Sequence, residues 1–275
     1  MKTRIISGAV GIALLAVILW LHQSPLYPIA LAAIGALMSY EMFGAGDMKK
    51  EYALMSVSAV YVFLCTFLPR LGFLEYFAHA STMYIGITFA YIVISQSVVL
   101  FRHKSLTLGR YYISLAYTVL IAFMMYSLSK IEFMSGTNAV INIVLTCMGA
   151  WVADSGAYFA GTFLGKHKLC PEISPKKTVE GLIGGALTNA IVFFVFAIFR
   201  NRYFGGGISP LVFAVIGVIC CFLGLLGDLT ASLIKRDTGI KDYGNIMPGH
   251  GGAMDRFDSL VYIAPFMYFV FAGGL

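Results

Sequence analysis

Between Ser232 and Asp258 the chain reads SLIKRDTGIKDYGNIMPGHGGAMDRFD. These 27 residues hold two lysines, two arginines, four aspartates, one histidine and five glycines. Long apolar segments flank the stretch on both sides. Charge at this density beside a membrane is costly unless something charged binds it. Carboxylates suit Mg²⁺, Lys and Arg suit phosphate, and glycines let backbone approach both. The residue types point to a cation and phosphate groups handled together.

Asp255 and Asp258 form Asp-Arg-Phe-Asp just before the last apolar segment. On a helix, positions i and i+3 share a face with Cβ atoms ~5–6 Å apart. Carboxylates that close repel unless a cation or proton sits between them, although acids at a helix start are also favoured by its dipole. Asp228 follows the apolar run Cys220–Gly227, where a deep unpaired charge costs ~2.5–3.5 kcal/mol. Three carboxylates converging from two helices would make a Mg²⁺ site open to substrate phosphates. Asp154, in Trp-Val-Ala-Asp-Ser-Gly, fits either a functional acid or a structural hydrogen bond between helices. Ala157, Gly161 and Gly165 recur every four residues and suit close helix packing.

The loop Pro171–Gly181 leads into another apolar segment. Thr178 is placed as a helix N-cap with Glu180 in the first turn. That sets Lys176 and Lys177 beside a helix N-terminus, which attracts phosphate, though a lysine pair also fits cytoplasmic anchoring. Pro248-Gly249-His250-Gly251-Gly252 is too glycine-rich for a helix and resembles a backbone nest for an anion. His250 could contact phosphate, orient a ligand or act as a base. Glu41 stays unassigned.

The elements that position these residues follow from composition. The chain is 59% hydrophobic and 12% charged, against about 25% charged in soluble domains, so the fold class is an all-α polytopic membrane protein. A helix crosses a bilayer with about 20 apolar residues, and nine segments qualify: 5–22, 26–44, 52–69, 80–101, 111–129, 138–164, 180–199, 207–232 and 259–274. The run after Met-Lys-Thr-Arg lacks a small-x-small cleavage site and reads as a retained first helix. Leu71–Phe77 fits a short interfacial piece. With the N-terminus inside and the C-terminus outside, 15 of the 19 Lys and Arg fall on the cytoplasmic side. Both charged loops, 165–180 and 233–258, then face the cytoplasm. Residues 1–137 form an N-terminal group of helices without a motif, and 138–275 a C-terminal catalytic group. The five cysteines lie mostly in apolar segments without CxxC spacing and read as packing residues. The net charge of +6 is explained by this topology and does not indicate nucleic acid.

Ser232-Leu-Ile-Lys235-Arg236, Lys241-Asp242, Pro248, His250-Gly251-Gly252, Asp255-Arg256 and Asp258 together resemble the signature of the phosphatidate cytidylyltransferase, or CDP-diacylglycerol synthase, family. Asp154…Tyr158 and Ser174-Pro-Lys-Lys-Thr178…Glu180-Gly181 are similar to the same family's upstream motifs. The resemblance covers about 150–260. It implies transfer of cytidylyl from CTP to phosphatidate at a cytoplasmic (inner) membrane, with Mg²⁺ required and a second cation left open. Asp228, Asp255 and Asp258 would hold the metal, and with Lys235 and His250 they form the expected catalytic set. Asp154, Ser174, Lys176, Lys177, Thr178, Arg236, Lys241, Asp242, Gly251, Gly252 and Arg256 would bind substrate. A phosphate monoester is already a nucleophile, which weakens a base role for His250. Expected partners are CTP, phosphatidate and membrane lipids, with a homodimer compatible and no nucleic acid. A CTP-dependent polyprenol or phytol-type lipid kinase would need a base for its alcohol. A secondary transporter would need acids near the midplane and symmetry between its halves; here the charges cluster at one face.

Overall fold

The structure, a computed structural model, describes residues 2–48, 50–71, 80–102, 106–204, 207–247, 249 and 251–274. Helices occupy all nine apolar segments. In chain order they are α1 (Lys2–Trp20), α2 (Leu26–Ala45), α3 (Tyr52–Phe67), α4 (Ala80–Arg102), α5 (Leu108–Ser135), α6 (Ala139–Leu164), α7 (Val179–Tyr203), α8 (Pro210–Asp237) and, after a four-residue helix α9 (Met254–Phe257), α10 (Leu260–Ala272). Among the described residues six stretches are long and apolar enough to cross a membrane, and one of them, Leu108–Leu164, contains both α5 and α6. Gly8–Trp20 and Leu260–Ala272 are shorter apolar helices. The chain is an all-α polytopic membrane protein. One feature the hydropathy pattern does not show is a small antiparallel hairpin, β1 (Lys168–Cys170) and β2 (Ser174–Thr178), inside the loop before α7. Of the interfacial piece expected over Leu71–Phe77, only Leu71 lies within the described residues.

The chain forms two compact units. The first holds residues 1–134 and Asp237–Phe257, thus α1–α5 and α9. Its helices close on small residues: a Cβ on Gly35 of α2 would stand 2.7 Å from Val62 and 2.9 Å from Met125. Polar groups away from water must find partners inside the protein. Ser58 and Tyr61 of α3 meet Tyr91 and Thr88 of α4 at 2.9 and 3.0 Å. The Arg70 guanidinium donates to Glu132 Oε2 and to the Ser24 carbonyl, both at 2.8 Å, fastening the ends of three helical segments.

The second unit holds Ser135–Arg236 and Asp258–Leu275, thus α6, the hairpin, α7, α8 and α10. Here α6 and α7 pack backbone to backbone. A Cβ on Gly181 would come 2.9 Å from the Ala157 carbonyl, and one on Gly185 would come 2.7 Å from the Ala153 carbonyl. The small-residue stripe of α6 is therefore the packing seam its spacing predicts. Ile183, Leu187, Ile191 and Val195, four residues apart along α7, are exposed and suit lipid. The buried Asn189 amide donates to the Gly149 and Gly217 carbonyls at 2.9 Å each, pinning α7 to both α6 and α8.

Candidate active site

The hairpin is the first positioning element of the second unit. Its ladder pairs Lys168 with Thr178 and Cys170 with Ser174. More residues of β2 than of β1 lie between these pairs, so Pro175, Lys176 and Lys177 sit in a bulge. Bulges re-aim side chains that a regular strand would send to opposite faces. The hairpin is fastened where it meets α7. Thr178 Oγ1 accepts the Gly181 N–H at 3.1 Å, the N-cap its position predicts. The Glu180 carboxylate accepts the N–H groups of Lys166 and His167 at 3.0 and 3.2 Å, and meets His167 Nδ1 at 2.6 Å.

Against this hairpin lies a cavity of about 530 Å³, walled by α6, α7, α8 and both strands. Asp154, Lys168, Lys176, Lys177, Thr178 and Asp228 supply its polar wall, and Leu169, Leu182 and Leu225 part of its apolar wall. Lys177 Nζ stands 2.5 Å from Asp228 Oδ2, and Asp228 Oδ1 accepts from Ser232 Oγ at 3.3 Å. The spacing of α8 and the start of α10 depends on Gly227, where any Cβ would run into the Asp258 carbonyl. That approach sets Asp258 near Asp228, the residue that follows Gly227 on α8. Asp258 is buried, and its Oδ1 accepts the Ser259 N–H at 2.7 Å. Burial, then the charge of Asp228, pushes the Asp258 carboxyl up to about 7, with Asp154 adding to the rise and Lys235 opposing it.

Nine of the sixteen predicted site residues belong to this unit. Five of them (Asp154, Lys176, Lys177, Thr178 and Asp228) line the cavity, and Asp258 and Lys235 share its electrostatic field. Ser174 lies at the far end of β2, and Arg236 Nε donates to the Ile173 carbonyl in the hairpin turn at 3.4 Å. Lys241, Asp242, Gly251, Gly252, Asp255 and Arg256 fall in the first unit or on its segment Asp237–Phe257. There Asp255 Oδ2 accepts the N–H groups of Tyr243 and Gly252 at 2.8 and 3.0 Å, and Lys241, Asp242 and Arg256 are exposed. His250 and Pro248 lie outside the described residues.

One local expectation changes, and the open assignment of Glu41 is filled. Asp255 and Asp258 do not share one helix: α9 ends at Phe257, and Asp258 turns to hold the Ser259 N–H before α10 begins. The donors after the glycine-rich stretch are filled from within, because the buried Glu41 of α2 accepts Ala253 N–H at 3.0 Å and Met254 N–H at 2.7 Å. Among the described residues of either unit, no group of three or more His, Cys, Asp and Glu side chains is placed to hold a metal. The chemistry of the second unit still fits one. Asp228 and Asp258 are hard oxygen donors near enough that the charge of Asp228, after burial, raises the Asp258 carboxyl, and a cation between two such acids relieves that repulsion.

A family model described as "Cytidylyltransferase family" matches residues 2–273. The chain belongs to the cytidylyltransferase family. Over 133 residues it is 45% identical to a phosphatidate cytidylyltransferase of Bacillus subtilis, covering 47% of each chain. Over 122 residues it is 46% identical to a phosphatidate cytidylyltransferase of Haemophilus influenzae, covering 44% of this chain and 42% of the relative. A Staphylococcus saprophyticus protein of the same name is 44% identical over 125 residues, 46% of each. The matched segments span about half the length of these curated relatives.

In this cytidylyltransferase-family chain, the sequence leaves one functional group unmarked and another without a role. Lys168 lines the cavity, and Glu41 organises the segment after His250. A hairpin signal was present for Lys168: two short runs flank Pro171-Glu172, a turn-forming pair. For Glu41 no local signal existed, because its partners lie more than two hundred residues away.

The Asp258 carboxyl gives a testable pH dependence. Its value in the fold, about 7, lies above the ordinary aspartate value of 3.8. The folded state therefore binds the proton more tightly than the unfolded chain. The contribution of this group to stability is full below pH ~4 and is lost as pH rises through about 7. In chelator, melting temperature should fall over that window, and Asp258→Asn should flatten the fall. An unchanged slope in Asp258→Asn would assign the pH dependence to other groups.

Proposed function

We propose that this chain transfers the cytidylyl group of CTP to phosphatidate, giving CDP-diacylglycerol and pyrophosphate. The observation that carries the reading is the cavity of the second unit. It sets lysines and aspartates against an apolar wall, in a chain whose family relatives bear the name of that activity. A phosphatidate oxygen would attack the α-phosphorus of CTP, forming one P–O bond while the bond to the β-phosphate breaks and pyrophosphate leaves with its electrons. Positioning and charge neutralisation would supply most of the catalysis. Lys176 and Lys177 would hold phosphate oxygens, and the α7 N-terminus beside Thr178 favours the same charge. Lys235 and Arg236 at the end of α8, with Lys241, Asp242, Gly251, Gly252, Asp255 and Arg256, are the further substrate-binding and catalytic residues of this reading. Asp228 and Asp258 would hold Mg²⁺, which would neutralise phosphate charge when bound. No strong base is needed, since the phosphate monoester is itself the nucleophile.

The protein would sit in the inner membrane with this site toward the cytoplasm, where CTP is found. Phosphatidate's acyl chains would stay in the bilayer, because moving them into water costs ~0.8 kcal/mol per CH₂. Purified protein given CTP, Mg²⁺ and phosphatidate should release pyrophosphate and form a CDP-lipid. Activity with a polyprenol but none with phosphatidate would move the reading to a lipid kinase.

A further inference from the structure

We infer that Lys168 and Lys176 form a two-armed clamp for a substrate phosphate, making Lys168 a substrate-binding residue of the proposed reaction. The inference rests on the cytidylyl-transfer reading for the identity of the substrates, and on geometry for the clamp.

Lys168 opens β1, directly across the ladder from Thr178, whose hydroxyl caps α7. Lys176 comes from the bulge of β2. Both line the same cavity, and both are exposed. The third lysine of the wall, Lys177, is spoken for: its ammonium sits 2.5 Å from Asp228. Among the described residues, neither Lys168 nor Lys176 has an ion-pair partner. Two uncompensated cations on facing strands of one small ladder repel each other. An anion between them converts that repulsion into attraction.

The mounting of the strands supports a placed site over a loose pair of surface lysines. Residue 167, next to Lys168, is fixed from both sides. His167 gives its N–H to Glu180 at 3.2 Å, while its carbonyl accepts the Val179 N–H at 2.9 Å. Lys168 therefore starts from backbone tied to the first turn of α7. The bulge delivers Lys176 to the same cavity from β2. The phosphate held there could be that of the nucleotide or that of the lipid, and the kinetic arms of the test separate them.

The full chain, purified in detergent, would be compared with Lys168→Gln and Lys168→Arg. Loss of one charge-assisted contact should raise KM for CTP or for phosphatidate on the order of tenfold in Lys168→Gln. The substrate whose KM rises is the one on the clamp. Lys168→Arg, which keeps the charge, should stay within about threefold of wild type. Pyrophosphate binding by calorimetry gives a readout independent of turnover. If the nucleotide sits there, its Kd should rise about tenfold in Lys168→Gln and little in Lys168→Arg. Wild-type protein that binds pyrophosphate through Lys168 but forms no CDP-lipid would overturn the reaction and leave the clamp standing. Both KM values and the pyrophosphate Kd unchanged in Lys168→Gln would overturn the clamp. Equal impairment in Lys168→Gln and Lys168→Arg would do so too, since it would reveal a packing role.

Discussion

Asp228→Asn is expected to lower CDP-lipid formation by about 10²-fold or more while the protein stays folded, the loss that follows from removing several kcal/mol of charge stabilisation. Three effects act together at this position. The Lys177 ammonium, 2.5 Å from the carboxylate, loses its partner and is free to take other geometries. The buried Asp258 loses the neighbouring charge that helps raise it, so its carboxyl should move down from about 7. One of the two acids proposed for Mg²⁺ becomes a neutral amide, which is a poorer ligand for a hard cation. Asparagine keeps the shape of the side chain and its contact with Ser232, so the melting temperature should change little. The measurement is kcat and KM for CTP across a Mg²⁺ titration. A variant with near-wild-type turnover at low Mg²⁺ would remove Asp228 from the site. A collapsed melting temperature would instead make it a structural residue.

The second large effect is expected at Glu41, on stability. Its two carboxylate oxygens accept the Ala253 and Met254 N–H groups at 3.0 and 2.7 Å in a buried setting. A Cβ on Gly244 or Gly252 would collide with the same carboxylate, so the backbone of that segment is folded tightly around it. Glu41→Ala strands two buried donors, each costing ~1–3 kcal/mol, for a loss of roughly 2–6 kcal/mol. Glu41→Gln should recover only part of this, because its NH₂ group must face one of the two donors. Thermal unfolding in detergent would test the order wild type, Gln, Ala. An alanine variant melting with the wild type would show that the contact does not support the fold.

These two residues mark how far the sequence reaches. Hydropathy placed helices on all nine apolar segments, because a membrane span must be long, apolar and internally hydrogen-bonded, and that demand is written locally. The cap at Thr178 and the glycine seam of α6 were equally legible, since each depends on neighbours within one turn or one repeat. The chemistry of the site was legible as residue types: acids, lysines and glycines concentrated where apolar sequence stops.

What the tertiary structure decided is which of them meet. Asp228 and Asp258 are brought together by the absence of a side chain at Gly227, and Lys177 reaches Asp228 across fifty residues of chain. Lys168 enters the cavity only through the register of a two-stranded ladder that hydropathy cannot show. Glu41 finds its donors at Ala253 and Met254, more than two hundred residues away. In each case the deciding quantity is a distance of a few ångströms between segments remote in sequence. Such distances are set by packing, where a missing Cβ or a single bulge decides whether two groups touch.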